Sequence, residues 1–239
     1  MLAGLLTATS LLVLGAGTVQ AADFPPFLPE LERFPAEIRN EITSIWTGHT
    51  LTRAVSGEPA RAPLELFQLF VDLPEVTAAA ARHLGLVQYR VRQLRPDHYE
   101  AEDGEGARGT YRVLVRETHR RVMLTRGSHA SRILGRVTGA SLTILDFVPE
   151  TGTDGDPQIS QRVETFVRID NRLTAFIARI LLPFFSSYAD RKIAETFNVT
   201  ARVSAWAHGE PTTFCVWLAN QPEGVRHRAE FAPLLAPCG

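Results

Sequence analysis

Carboxylates set between apolar neighbours are the groups in this chain best suited to proton chemistry, because a carboxyl drawn into an apolar interior has its pKa raised and can give or take a proton. Asp146, between Leu145 and Phe147, and Glu164, between Val163 and Thr165, are two such residues, with Tyr99 and Tyr111 as phenols that could share the work. Glu164 is in phase with Arg162 and Arg168, which favours a cross-strand ion pair on a solvated face. Asp146 can face either way. The seven histidines are scattered and form neither HExxH nor any Cys/His ligand pattern, so no metal site is expected. Gly104, Gly106, Gly135 and Gly139 read as turn glycines without phosphate-loop spacing, and no cofactor is expected. Gly127-Ser128-His129 is not a nucleophile elbow, so serine hydrolysis is dismissed. The cluster Arg112, Arg116, His119, Arg120 and Arg121 reads as the wet face and turn of a hairpin, or else as a patch for transient contact with anionic lipid headgroups.

The two cysteines, Cys215 and Cys238, are close in sequence near the C-terminus, where a disulfide would remove about 3 kcal/mol of unfolded-chain entropy. Oxidising surroundings are implied by the other end of the chain. Residues 2–19 carry no charged side chain and lead to Val19-Gln20-Ala21, a small-x-small site followed by Ala22-Asp23. We read 1–21 as a signal peptide of bacterial style, cleaved after Ala21, which makes the protein periplasmic or secreted. Thr7, Thr9, Ser10, Gly15 and Gly17 break the run below the roughly 20 apolar residues of a membrane span. The run departs from the usual pattern in having no Lys or Arg before it. Acidic and basic residues nearly cancel, at a formal net charge of −1, so no global field gathers nucleic acid.

The elements that would position these residues follow from periodicity. Residues 22–49 form an N-terminal extension in which Leu31, Phe34, Ile38 and Ile42 recur near helical spacing. A strand over Thr50–Val55 precedes two short helices, one opened by Pro63 and one by Pro74 and running to His83. Alternating apolar and polar residues then give six strands: Gln88–Leu94, His98–Glu102, Gly109–Glu117, Arg121–Ser128, Arg136–Pro149 and Gln158–Asp170. This reads as an antiparallel meander with one wet and one dry face. Asn171–Ala207 has helical spacing and covers the dry face, with a kink or break at Pro183. Residues 208–239 add a short helix over Pro211–Ala219 and a tail.

The order strand, two helices, six strands and long C-terminal helix resembles the START-like (SRPBCC) helix-grip superfamily, which includes lipid-transfer domains, polyketide cyclases and birch-pollen-allergen-like proteins. The stretches that carry the resemblance are Pro63–Pro74, Gly139–Pro149 and Arg168–Leu173, within a domain spanning 50–207. The fold implied is α+β, a curved antiparallel sheet of six or seven strands around a long C-terminal helix. The resemblance further implies a hydrophobic small molecule (lipid, sterol, isoprenoid or polyketide-like) held between sheet and helix. Its contacts would be Val113, Val115, Ile144, Asp146, Val163, Val167, Phe176, Ile180, Phe184 and Tyr188. Two rivals stay open: an enzyme of the cyclase, aromatase or dehydratase kind with Asp146 or a Tyr as proton carrier, marked by Asp146 pointing inward beside a Tyr or His, and a packed interaction module without a cavity.

Overall fold

The computed structural model describes residues 25–28, 30–131, 135–171 and 193–239. Periodicity becomes architecture first at the N-terminus, where Ile38, Ile42, Ile45 and Trp46 fall on one side of α1 (Ala36–Gly48). β1 (Leu51–Ser56) is followed by α2 (Leu64–Asp72) and α3 (Pro74–His83), the latter with Pro74 in its first turn. The meander runs β2 (Arg90–Arg95), β3 (His98–Glu102), β4 (Ala107–Glu117), β5 (Arg120–Ser131), β6 (Gly135–Thr151) and β7 (Pro157–Ile169). After it come α4 (193–209), α5 (Pro211–Ala219) and α6 (Pro222–Phe231). The last was expected as an irregular tail and is helical.

Every pairing is antiparallel, and β1 pairs with β7, which gives a seven-stranded sheet in the order β1-β7-β6-β5-β4-β3-β2. Tight turns make the meander possible. Asp97 takes a positive φ of 57° between β2 and β3, and Asp103 Oδ1 accepts the N–H groups of Glu105 (2.7 Å) and Ala107 (2.8 Å) before β4. Gly109, Gly127 and Gly139 lie in one row across β4, β5 and β6, where neighbouring backbones approach closely. A Cβ on Gly109 would stand 2.3 Å from the Arg126 carbonyl oxygen, so only glycine permits the strands to approach there.

Both faces of β5, β6 and β7 are covered, which corrects the expectation of one wet face for this half of the sheet. The inner face meets α2 and α4 through Phe67, Leu145, Phe147, Ile159, Val163 and Ala201. On the outer face, Val122, Leu124, Leu142, Ile144 and Phe166 pack under Leu28, Leu31, Ile42 and Ile45. Strict alternation survives because each face has its own cover: Ala140, Leu142 and Ile144 of β6 pack with the N-terminal segment, whereas Leu145 and Phe147 pack with α2 and α4. A third cluster ties α2, α3 and α4 to the C-terminal helices through Phe70, Trp206, Phe214, Trp217 and Phe231. Cys215 and Cys238 are joined across the end of that cluster.

Candidate functional site

Strand register decides which side chains can meet a ligand. Leu145 lies opposite Val163, Thr143 opposite Thr165 and Ser141 opposite Val167, and these odd-numbered residues form the inner face. Tyr111 opposite Thr125, and Val113 opposite Met123, extend that face through β4 and β5. A bulge between Val113 and Val115 then shifts the phase of β4 by one residue. Beyond it Val115 pairs with Val122 and packs on the outer cluster, while Arg116 faces inward opposite Arg121.

Of the residues that the resemblance proposed as contacts, the structure brings Val113, Val163 and Val167 onto one inner surface. It places Val115, Ile144 and Asp146 on the other side of the sheet. Ile144 is buried under the N-terminal segment. Asp146 accepts two hydrogen bonds from Arg120, at 2.6 and 3.0 Å, so it is an ion-pair partner and not an inward proton carrier. The physical reason is parity: Asp146 and Ile144 are even-numbered on a strand whose odd residues face inward. Glu164 is likewise on the outer face, in phase with Arg162 and Arg168. Phe176, Ile180, Phe184, Tyr188 and Pro183 lie outside the described residues, as do 1–21.

An open cleft of about 270 Å³ lies between the sheet and α4, lined by Thr143, Thr165, Ile193, Thr196 and Phe197. The Thr143 and Thr165 hydroxyls are 3.0 Å apart and hydrogen-bond one another across β6 and β7. Three of the five lining residues are therefore threonines, set beside Ile193, Phe197 and the neighbouring Leu145 and Val163. Ile193 and Phe197, four apart, were legible as one helical face; Thr143 and Thr165 were not singled out. Their signal was available, since each lies two residues from an apolar inner residue on its own strand. On the other flank of α4 a second cleft, of about 320 Å³, is lined by Glu58, Leu86, Val87, Ala194, Glu195, Asn198, Val199 and Arg202. Here Arg202 donates to Glu58 at 2.6 and 2.9 Å, and the Glu58 backbone N–H donates to Asn198 Oδ1 at 2.7 Å. The guanidinium hydrogen bonds hold the Glu58 carboxyl below its ordinary pKa.

The narrow end of the inner face is polar and fully occupied by its own partners. Arg121, which is buried, donates to both oxygens of Asp72 at 2.8 Å and lies 5.4 Å from the centre of the Phe147 ring. Arg116 also contacts Asp72 and bonds Asp97 at 2.8 Å. These two arginines were expected on a wet hairpin face; the bulge turns the first inward, and register places the second beside Leu145. Tyr99 stacks on Tyr111 with ring centres 5.0 Å apart, and burial pushes both phenols above their ordinary pKa, so both remain protonated at neutral pH. Glu75, buried in the first turn of α3, has one oxygen 3.4 Å from His227 Nε2 on α6. Among the described residues no group of three or more His, Cys, Asp or Glu is arranged to hold a metal ion.

Strand, helix pair, six-strand meander and covering helix, with the first strand paired to the last, make this an α+β helix-grip fold. Similar solved structures include a conserved protein from Geobacillus kaustophilus, at 14% identity and a TM-score of 0.48 over 66% of this chain and 97% of that one. The di-domain ARO/CYC protein BexL from the BE-7585A biosynthetic pathway is similar at 18% identity and a TM-score of 0.43, over 70% of this chain and 53% of BexL. Ara h 8.0201 follows at 13% identity and a TM-score of 0.37, covering 64% of this chain and 97% of that one. No family model matches the chain, and no curated protein matches it.

Proposed function

We propose that this is an exported protein that reversibly binds a hydrophobic small molecule of the lipid, sterol, isoprenoid or polyketide-like class between the inner sheet face and α4. The observation that carries the reading is the cleft under α4, where Ile193 and Phe197 face the hydroxyl pair of Thr143 and Thr165, with Thr196 beside them. Such a mixed lining gains affinity from burial of its apolar part, about 25 cal/mol per Å² of apolar surface, and orientation from its hydroxyls. The position of Asp146 on the far side of the sheet counts against it as the proton carrier of the enzymatic alternative, which leaves a Tyr for that role. Export rests on the Val19-Gln20-Ala21 site after an uncharged run, and a disulfide between Cys215 and Cys238 suits an oxidising compartment.

Titrating the purified protein with a fluorescent fatty acid tests the binding reading. Saturable uptake that weakens in Phe197→Asp is expected, and uptake that is absent or indifferent to Phe197→Asp would overturn it. N-terminal sequencing of mature protein from fractionated cells tests export; a periplasmic or secreted chain beginning at Ala22 is expected.

A further inference from the structure

The outer face has a second half that α1 does not cover. On β2, β3 and β4 the register sets Arg90 opposite Glu102 and Glu102 opposite Arg108, then Arg92 opposite Glu100, then Arg95 opposite His98 and His98 opposite Arg112. Arg126 on β5 continues the surface and pairs with Glu41 at 2.6 Å. Six arginines thus meet three carboxylates in a chain whose formal net charge is −1, so cationic charge is concentrated here. The row of Arg95, His98 and Arg112 holds no carboxylate at all. Arg95 Nε donates to His98 Nδ1 at 3.0 Å, and burial together with the flanking Arg95 and Arg112 holds His98 below its ordinary pKa. His98 therefore stays an uncharged acceptor, and the row presents two guanidiniums with no anion of their own. Beside them Leu94, at the bulge of β2, is 42% exposed.

We propose that this arginine-rich half of the outer face, with Leu94 at its edge, docks the protein onto an anionic phospholipid surface. Arg92, Arg95, Arg108 and Arg126 are exposed on one sheet face, and such a broad spread of guanidiniums suits a planar array of phosphates. An apolar side chain flanked by guanidiniums is the pairing that settles at the headgroup boundary, where leucine enters the acyl layer and arginines stay with phosphate. Among the described residues no helix is long and apolar enough to cross a membrane, so contact of this kind would be peripheral. The contact is separate from the inner cleft and does not require it to hold a ligand. It also moves the membrane-facing patch away from the hairpin cluster marked in the sequence, since Arg116 and Arg121 are committed to Asp72 and Arg120 to Asp146.

Co-sedimentation of the purified protein with phosphatidylcholine vesicles, with and without phosphatidylglycerol, tests the proposal. Binding to the anionic vesicles alone, reversed by high salt, is expected. Each arginine near such a surface is worth about five-fold in partitioning, so Arg95→Gln with Arg112→Gln should bind roughly 25-fold more weakly. Leu94→Asp, at an exposed position, should also weaken binding and keeps the test meaningful if the double variant folds poorly; Arg61→Gln, elsewhere on the surface, should bind as the native protein does. Equal binding to both vesicle types, no binding to either, or native-like binding by Leu94→Asp would overturn the proposal. Saturable capture of polyglutamate without vesicle binding would overturn it in favour of an acidic chain adding to the free edge of β2. Fatty-acid uptake measured without vesicles should be unchanged in these variants, so loss of uptake in the native protein sinks the ligand reading and leaves the docking surface standing.

Discussion

On the outer face, α1 and the segment before it fill the space above β5, β6 and β7 with Ile42, Ile45 and the mutually packed rings of Phe27, Trp46 and Phe166, at centre separations of 4.9 to 5.9 Å. On the inner face, the ground beneath α4 carries threonines and stays open over about 270 Å³. The same strands supply both surfaces, so the difference lies in the residues that alternate along them. Phe166 and Leu142 interlock with rings above, whereas Thr165 and Thr143, one position along, offer short polar side chains that leave space. Stability and binding capacity are thereby assigned to opposite sides of one sheet, and substitutions should separate them.

The largest effect should come from the outer side. Phe166→Ala removes the ring that Trp46 and Phe27 pack against and should cost about 3–5 kcal/mol in urea unfolding, with little change in fatty-acid affinity per folded molecule. An affinity loss as large as the stability loss would break the division between the faces. Replacing Cys215 and Cys238 together by Ala releases a link between residues 23 apart and should cost about 3 kcal/mol, again without moving affinity.

The inner side should show the reverse. Phe197→Ala is expected to weaken fatty-acid binding by about ten-fold, since about 1.4 kcal/mol of contact is removed from the cleft wall, while stability changes less than in Phe166→Ala. Thr143→Val leaves the Thr165 hydroxyl without its partner and should cost about 1 kcal/mol of stability. It should also shift preference from ligands with a polar head toward purely apolar ones, which a competition assay would read.

The smallest effect concerns the pin between α4 and the loop after β1. Arg202 holds the Glu58 carboxyl below its ordinary pKa, so the folded state binds this proton less readily than the unfolded chain. The pair's contribution is therefore present above the unfolded carboxylate pKa and lost as pH falls through the lower, folded value. Because both side chains are about half exposed, the contribution is at most about 1 kcal/mol. Arg202→Gln should flatten this part of the acid limb of the unfolding profile; an identical limb would show that the pin contributes nothing.

Much of the fold was legible because its signals are local. The six strands of the meander, the Pro74 start of α3, the Asp103 turn and the alternation of Val163 with Glu164 each depend on neighbours within a few residues. Of the contacts expected, Val113, Val163 and Val167 share the inner face, whereas Val115, Ile144 and Asp146 lie on the outer one. Alternation along a strand gives relative phase and is silent about which side is inward when both sides are apolar. At Leu142-Thr143-Ile144-Leu145 the two phases look almost alike, and only the presence of α1 on one side and α4 on the other distinguishes them.

By itself the sequence determined the order and type of the elements, the turns and the likeness to a helix-grip domain, since backbone propensity and side-chain period act over short distances. Only the tertiary structure decided that the N-terminal extension covers the outer face, that a bulge after Val113 turns Arg116 inward, and that Thr143 meets Thr165 under α4. Those outcomes depend on contacts between residues far apart in the chain, where packing and ion pairing choose between alternatives that local chemistry leaves equal.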